Sequence, residues 1–240
     1  PLVKPIITPR FVPSCTSELM SGLGKLAEEY NVPIQSHLSE NHGEIDWVAS
    51  LHPESPNYTD VYYEHHLMGT VPTVMAHCIH LSDVEMDRMA ETQTMVSHCP
   101  YSNVNLSSGI APIRKLIERN IPIGLGSDIS GGHIVSMAKV LTEAIGLSKM
   151  KWAEVDPNYA PLTLSEAFYM ATKGGGKFFG KVGSFEKGCE LDALIIDDTL
   201  LFDPNERTLE ERLERWLYVG DDRHIVERYV AGQVLPNPQG

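Results

Sequence analysis

The chain holds only four cysteines, Cys15, Cys78, Cys99 and Cys189, and no two form a C-x-x-C pair. That scatter argues against a thiolate metal site or redox motif, and leaves buried, reduced thiols in a cytoplasmic protein as the expectation. Basic residues are also few: 19 Lys and Arg face 32 Asp and Glu, for a formal charge of −13, with no Lys/Arg cluster of any length. A nucleic-acid partner, which needs a basic face, is therefore not expected. No apolar run approaches the ~20 residues that cross a bilayer, so no membrane partner is expected either. The Gly-x-Gly-x-x-Gly phosphate fingerprint is missing, because Gly124-Leu-Gly126 lacks the third glycine and runs into Ser127-Asp128.

What is present is a strand-then-helix rhythm in 240 residues that are 42% hydrophobic, enough for a sizeable core. Val3-Lys-Pro-Ile-Ile-Thr8 reads as a strand, followed by a helix over 16–29 with Leu19, Leu23 and Leu26 on one face. Further strands end at His37, His77, His98 and Asp128. Ser82 with Glu85 marks a helix start over 82–91, 100–109 reads as a loop, Pro112 opens a helix, and a longer helix covers 135–150. Mostly apolar strands suit a parallel sheet covered on both faces. An open doubly wound sheet and a (β/α)8 barrel compete. Polar residues at successive strand ends favour the barrel, because closure points them all at one centre.

The expected fold is thus α/β: a partial TIM-type barrel, about strands 4–8, over 1–175. A helix and a small β-sandwich-type appendage follow over 176–240, with a hairpin around Ala231-Gly232. A full barrel takes ~250 residues, so about three units are expected upstream of Pro1.

The chemistry lies at the strand ends. In Pro33-Ile-Gln-Ser-His-Leu-Ser-Glu40, His37 closes a strand and Glu40 follows three positions on. Ile121-Pro-Ile-Gly-Leu-Gly-Ser-Asp128 closes another with a carboxylate. Imidazole and carboxylate on one rim suit a divalent metal, so His37 and Asp128 are the candidate ligands. Glu40 beside a metal is a candidate general acid/base. His77 is read as a polar group holding water or substrate rather than as a ligand, and His98 either lines the pocket or anchors its loop. His133 reads as peripheral, and His42, His52, His65, His66, His80 and His224 read as surface. Arg10 and Phe11, directly after the first strand, would offer a guanidinium fork and an aromatic face to a planar heterocycle.

Pro9-Arg-Phe11, Gln35-Ser-His-Leu-Ser-Glu40, Met75-Ala-His77, Ser97-His-Cys-Pro-Tyr-Ser-Asn103, Leu106-Ser-Ser-Gly109, Gly124-Leu-Gly-Ser-Asp128 and Tyr218-Val-Gly-Asp-Asp-Arg223 together span nearly the whole chain. In these the chain resembles the amidohydrolase superfamily, and within it the branch that deaminates guanine. The resemblance implies one zinc per site, held by His37, by Asp128 and by a His-x-His pair on the first strand. It implies catalytic roles for Glu40, His77 and Asp128, and substrate contacts from Arg10, Phe11, His37 and Glu40. It also implies a homodimer. The sequence departs from the pattern in one respect: it contains no His-x-His, and His65-His66 are adjacent. Two alternatives stay open. One is a related deaminase acting on a modified adenosine, another purine or a triazine. The other is a silent relative serving as an assembly subunit, against which the retained Glu40 speaks.

Overall fold

The computed structural model describes residues 2–236. Four strands, β1 (Ile34–Leu38), β2 (Thr73–His77), β3 (Met95–His98) and β4 (Ile123–Leu125), form one parallel sheet in the order β1-β2-β3-β4. The order follows the sequence without the reversal that a doubly wound sheet requires. Right-handed crossovers all running in one direction put the connecting helices on a single face. Burial follows suit: Ile34 and Leu38 of β1 are fully buried, whereas Gln35 and His37 between them are not. The helix-side core adds Met75, Val96 and Ile123 from the sheet to Met20, Val48, Tyr62, Met86 and Leu116. Each such side chain contributes roughly 1.5–3 kcal/mol of burial free energy. The opposite face looks onto a cleft of about 740 Å³ lined by Gln35, His37, Val74, Ala76, Ser97 and Gly124 among others.

The helices are α1 (Ser17–Tyr30), α2 (His42–Leu51), α3 (Tyr58–Glu64), α4 (Asp83–Glu91), α5 (Pro100–Asn105), α6 (Ile113–Glu118), α7 (Met137–Glu154), α8 (Leu164–Tyr169) and α9 (Leu209–Val219). Reciprocal capping boxes start α2 (Asn41/Glu44), α4 (Ser82/Glu85), α8 (Thr163/Glu166) and α9 (Thr208/Glu211); each satisfies two backbone donors that the first turn leaves free. Helix α8 runs into a π-helical turn, Met170–Gly174, that packs on β4. A Cβ on Gly124 would sit 2.9 Å from the Gly175 Cα, so glycine permits that approach. Arg114 of α6 grips Glu166 of α8 with two bonds of 2.7 and 2.9 Å, and two further donors take the Ala160 and Pro161 carbonyls. A separate antiparallel sheet, β5 (Ala193–Ile196), β6 (Ile225–Val230) and β7 (Gln233–Val234), includes the hairpin through Ala231-Gly232. Among the described residues no helix is long and apolar enough to cross a membrane.

Several local expectations need correction. Residues 3–8 do not form a strand but touch the sheet through a single parallel bridge, Ile7 to Ile34. Pro5 and Pro9 remove the N–H groups that a longer ladder would use. The buried side of α1 is Met20, Gly24 and Ala27; Leu19 and Leu26 stand exposed. At Gly24 a Cβ would collide with the His65 carbonyl, so the helix packs closest where it has no side chain. Residues 100–105 are helical, because Pro100 at the first position presets φ for a helical turn. The long helix starts and ends later than expected, at Met137 and Glu154. His52 and His224 are buried rather than on the surface. All four cysteines are free, but only Cys78 and Cys99 are buried.

Candidate active site

His37 lies on the cleft side of β1. Its Nδ1 is 2.6 Å from the Arg10 carbonyl, which can only accept, so the proton sits on Nδ1 and the Nε2 lone pair is free. The Arg10 carbonyl also receives the His37 backbone N–H at 3.2 Å, while the Ser36 hydroxyl donates to the neighbouring Pro9 carbonyl at 2.7 Å. Tyr62, fully buried behind the strand, donates to the His37 carbonyl at 2.8 Å. Past Leu38 the chain turns through Ser39 (φ +49°) and places Glu40 just before the α2 cap. Glu44 pins that turn: its carboxylate accepts the Glu40 N–H at 2.9 Å, the Asn41 N–H at 3.4 Å and the Tyr58 hydroxyl at 2.7 Å. Burial and the neighbouring Tyr62 and Glu44 hold the Tyr58 phenol far above its ordinary range, so it remains a donor.

His77 closes β2. Its register partner Leu38 points into the helix-side core, but left-handed backbone at His77 (φ +70°) and Cys78 (φ +51°) swings the imidazole toward the rim. The ring stacks on His37 with centroids 5.4 Å apart. Its Nε2 lies 3.7 Å from Glu40 Oε2 and 3.9 Å from Asp128 Oδ2. Nδ1 meets Asn103 Oδ1 at 2.9 Å. Asp128 itself adopts φ +44° and begins a tight loop in which the Gly132 N–H returns to the Asp128 carbonyl at 2.6 Å.

Arg10, Phe11, His37, Glu40, His77 and Asp128 thus surround one pocket of about 240 Å³, completed by Asn41, Glu44, Leu106 and Gly131. His37 and Asp128 also border the larger cleft, so they stand where the rim meets the open face of the sheet. The Arg10 guanidinium carbon lies 5.2 Å from the Phe11 ring centre, and Phe11 meets Trp47 edge-on at 6.2 Å.

His98 does not join them. Ala76 pairs with Ser97, so Ser97 and Cys99 face the cleft and His98 points away from it. Burial, with His77 nearby, pushes His98 down to about 3, so it is a neutral interior imidazole whose Nδ1 finds no partner among the described residues. Burial likewise raises Cys99 to about 12, leaving a protonated thiol in the cleft wall. His133 packs on Tyr101 and lies outside the pocket lining.

A metal can be tested against this donor set. The free Nε2 of His37 and the carboxylate of Asp128 are suitable zinc ligands. Among the described residues, no group of three or more His, Cys, Asp or Glu side chains is arranged to hold a metal ion. The residues fit as part of a site, in accord with the missing His-x-His. Asn103, Ser108, Tyr62, Glu44 and Gly131 were not singled out from the sequence. Asn103 and Ser108 fall within the resemblance motifs, but nothing in the sequence shows that they touch residues 26 and 68 positions away.

With imidazoles and carboxylates gathered at the rim of its parallel sheet, the chain belongs to the amidohydrolase family, whose sequence pattern matches residues 1–235. More particularly, it is 46% identical to guanine deaminase of Dictyostelium discoideum over 98% of this chain and 53% of that protein. It is 36% identical to guanine deaminase of Escherichia coli strain K12, over 95% of this chain and 52% of that one. A crystal structure of guanine deaminase from C. acetobutylicum with guanine bound in the active site matches with a TM-score of 0.94 at 55% identity, covering 97% of this chain and 55% of that one. The chain spans about half the length of the curated relatives it matches.

Proposed function

We propose that this chain supplies the purine-gripping side of a zinc-dependent guanine deaminase, which adds water to guanine and releases xanthine and ammonia. The observation that carries the reading is the convergence of Arg10 and Phe11 with His37, Glu40, His77 and Asp128 on one small pocket. Similarity to guanine deaminases, one with guanine bound, supports it.

His37 and Asp128 are the residues that would hold zinc, together with ligands from outside this sequence. When bound, zinc supplies a Lewis acid that brings the pKa of water toward neutrality. Asp128 takes a proton from the attacking water. Glu40, whose Oε2 faces the pocket, delivers a proton to the ring nitrogen beside the attacked carbon. His77 Nε2, between the two carboxylates, orients the water and offsets developing charge. The Arg10 fork binds the O6 and N7 acceptors of guanine, as arginine does on guanine edges elsewhere, and Phe11 packs against the ring. Residues 1–175 form part of a (β/α)8 barrel in this reading, supported by the unreversed strand order, with 176–240 as an appendage. A cytoplasmic homodimer follows from the resemblance.

The test is ammonia release by the full-length gene product, with zinc and after chelation, on guanine and on adenine. Zinc-dependent turnover of guanine with little on adenine is expected, because adenine lacks the O6 acceptor. Preference for adenine, or activity indifferent to chelation, would overturn the reading.

A further inference from the structure

We infer that Ser108 and Asn103, carried on the segment that follows β3, are positioning residues that select which atoms of Glu40 and His77 face the reaction; the inference rests on the deaminase reading above. Ser108 Oγ donates to Glu40 Oε1 at 2.9 Å, and Asn103 Oδ1 lies 2.9 Å from His77 Nδ1. Each bond occupies one end of a two-ended group. The ends left over, Glu40 Oε2 and His77 Nε2, are the atoms that approach each other at 3.7 Å. Asp128 Oδ2 lies 3.9 Å from the same nitrogen. Two back bonds from one short segment therefore leave both free ends at the same place.

The chemistry of the partners makes the selection definite. An amide oxygen only accepts, so Asn103 puts the proton on His77 Nδ1 and leaves Nε2 to exchange protons with the pocket. A carboxylate turns broadly about its last torsion; a hydroxyl on Oε1 holds it and leaves Oε2 as the working oxygen. The segment is braced for this task. Ser108 and Asn103 are buried, and the Ser108 N–H donates to the Asn103 carbonyl at 2.8 Å. His80 Nε2 sits 2.8 Å from the Ser108 carbonyl, and Asn105 ties the end of α5 to the Gly131 carbonyl at 2.7 Å. Neither Ser108 nor Asn103 lines the rim pocket, so each acts through the residue it holds.

The test is a double-mutant cycle in the full-length, zinc-loaded gene product, measuring guanine turnover per bound zinc. Ser108→Ala should lower kcat about tenfold with KM and zinc content unchanged. In a Glu40→Gln background the same substitution should cost nothing more, because the group it positions no longer moves protons. Unchanged kcat for Ser108→Ala, or an equal further loss on top of Glu40→Gln, would overturn the inference. Asn103→Leu should likewise lower kcat per zinc, whereas Asn103→Asp, which keeps an acceptor, should retain most of it; equal losses would remove Asn103 from the proposal. Wild-type protein inert toward guanine would refute the substrate reading instead, and the cycle would then be read on whichever amino-heterocycle it does deaminate.

Discussion

Replacing Gly131 by alanine should disable the site while sparing the fold. A Cβ there would lie 2.7 Å from Asp128 Oδ2 and 2.6 Å from Ser102 Oγ. Ordinary contact begins near 3.4 Å, so the Asp128 oxygen must retreat by about 0.7 Å. Gly131 does not have the left-handed backbone that would itself penalise alanine, so the effect isolates space from strain. Both obstructing atoms are side-chain ends that can rotate away, which keeps the folding cost to about 1 kcal/mol or less. The same displacement is large for the ligand and proton acceptor proposed at Asp128, since a misplacement of about 1 Å can cost ~10²-fold in rate. Gly131→Ala should therefore lower guanine turnover some ten- to a hundred-fold and weaken zinc in chelator competition, with a nearly unchanged melting temperature. Wild-type zinc affinity and turnover in this variant would refute the argument, because Asp128 would then tolerate a displacement that its proposed roles forbid.

Arg10→Ala should cut guanine use about ten- to a hundred-fold without altering zinc content, through loss of a charge-assisted hydrogen bond to O6 and N7; equal losses on guanine and an adenine-type substrate would point to a folding role. The Arg114 guanidinium, aided by backbone and side-chain bonds from Thr163, holds Glu166 down at about 2 from 4.5. A depressed carboxyl pKa contributes stability that is present above about 4.5 and lost as pH falls toward 2. Glu166→Gln should accordingly lower neutral stability by about 1–2 kcal/mol, allowing for partial exposure, and flatten the acid limb of the stability curve; denaturant melts between pH 6 and 2 (about the span of that titration) would expose an unchanged slope as a failure.

His37 was legible as a pocket residue because it sits on the cleft-facing parity of β1, whereas Asp128 reaches the pocket three residues past β4 through left-handed backbone. His77 sits on the opposite parity, and only its left-handed backbone brings it to the rim, a turn that no residue pattern announces. His98 has the same parity without the turn, so of its two readings, lining the pocket or anchoring its loop, the first is excluded. In 3–8 the apolar residues suggested a strand, but Pro5 and Pro9 left only the bridge at Ile7. The caps at Ser82 and Thr208 were readable because their partners lie three residues away. Asn103 and Ser108 were not, because their partners, His77 and Glu40, lie 26 and 68 residues away.

The two donors on the Arg10 carbonyl, from the His37 ring and the His37 backbone, join two recognition events mechanically. A shift of the loop that presents the guanidinium also loosens the bond that fixes the tautomer of the candidate metal ligand. Purine and metal should therefore be thermodynamically linked: each tightens the other's binding by the same factor, since coupling between sites is reciprocal. Metal depletion would then be felt first as a rise in the purine dissociation constant, even for a ligand that never touches the ion.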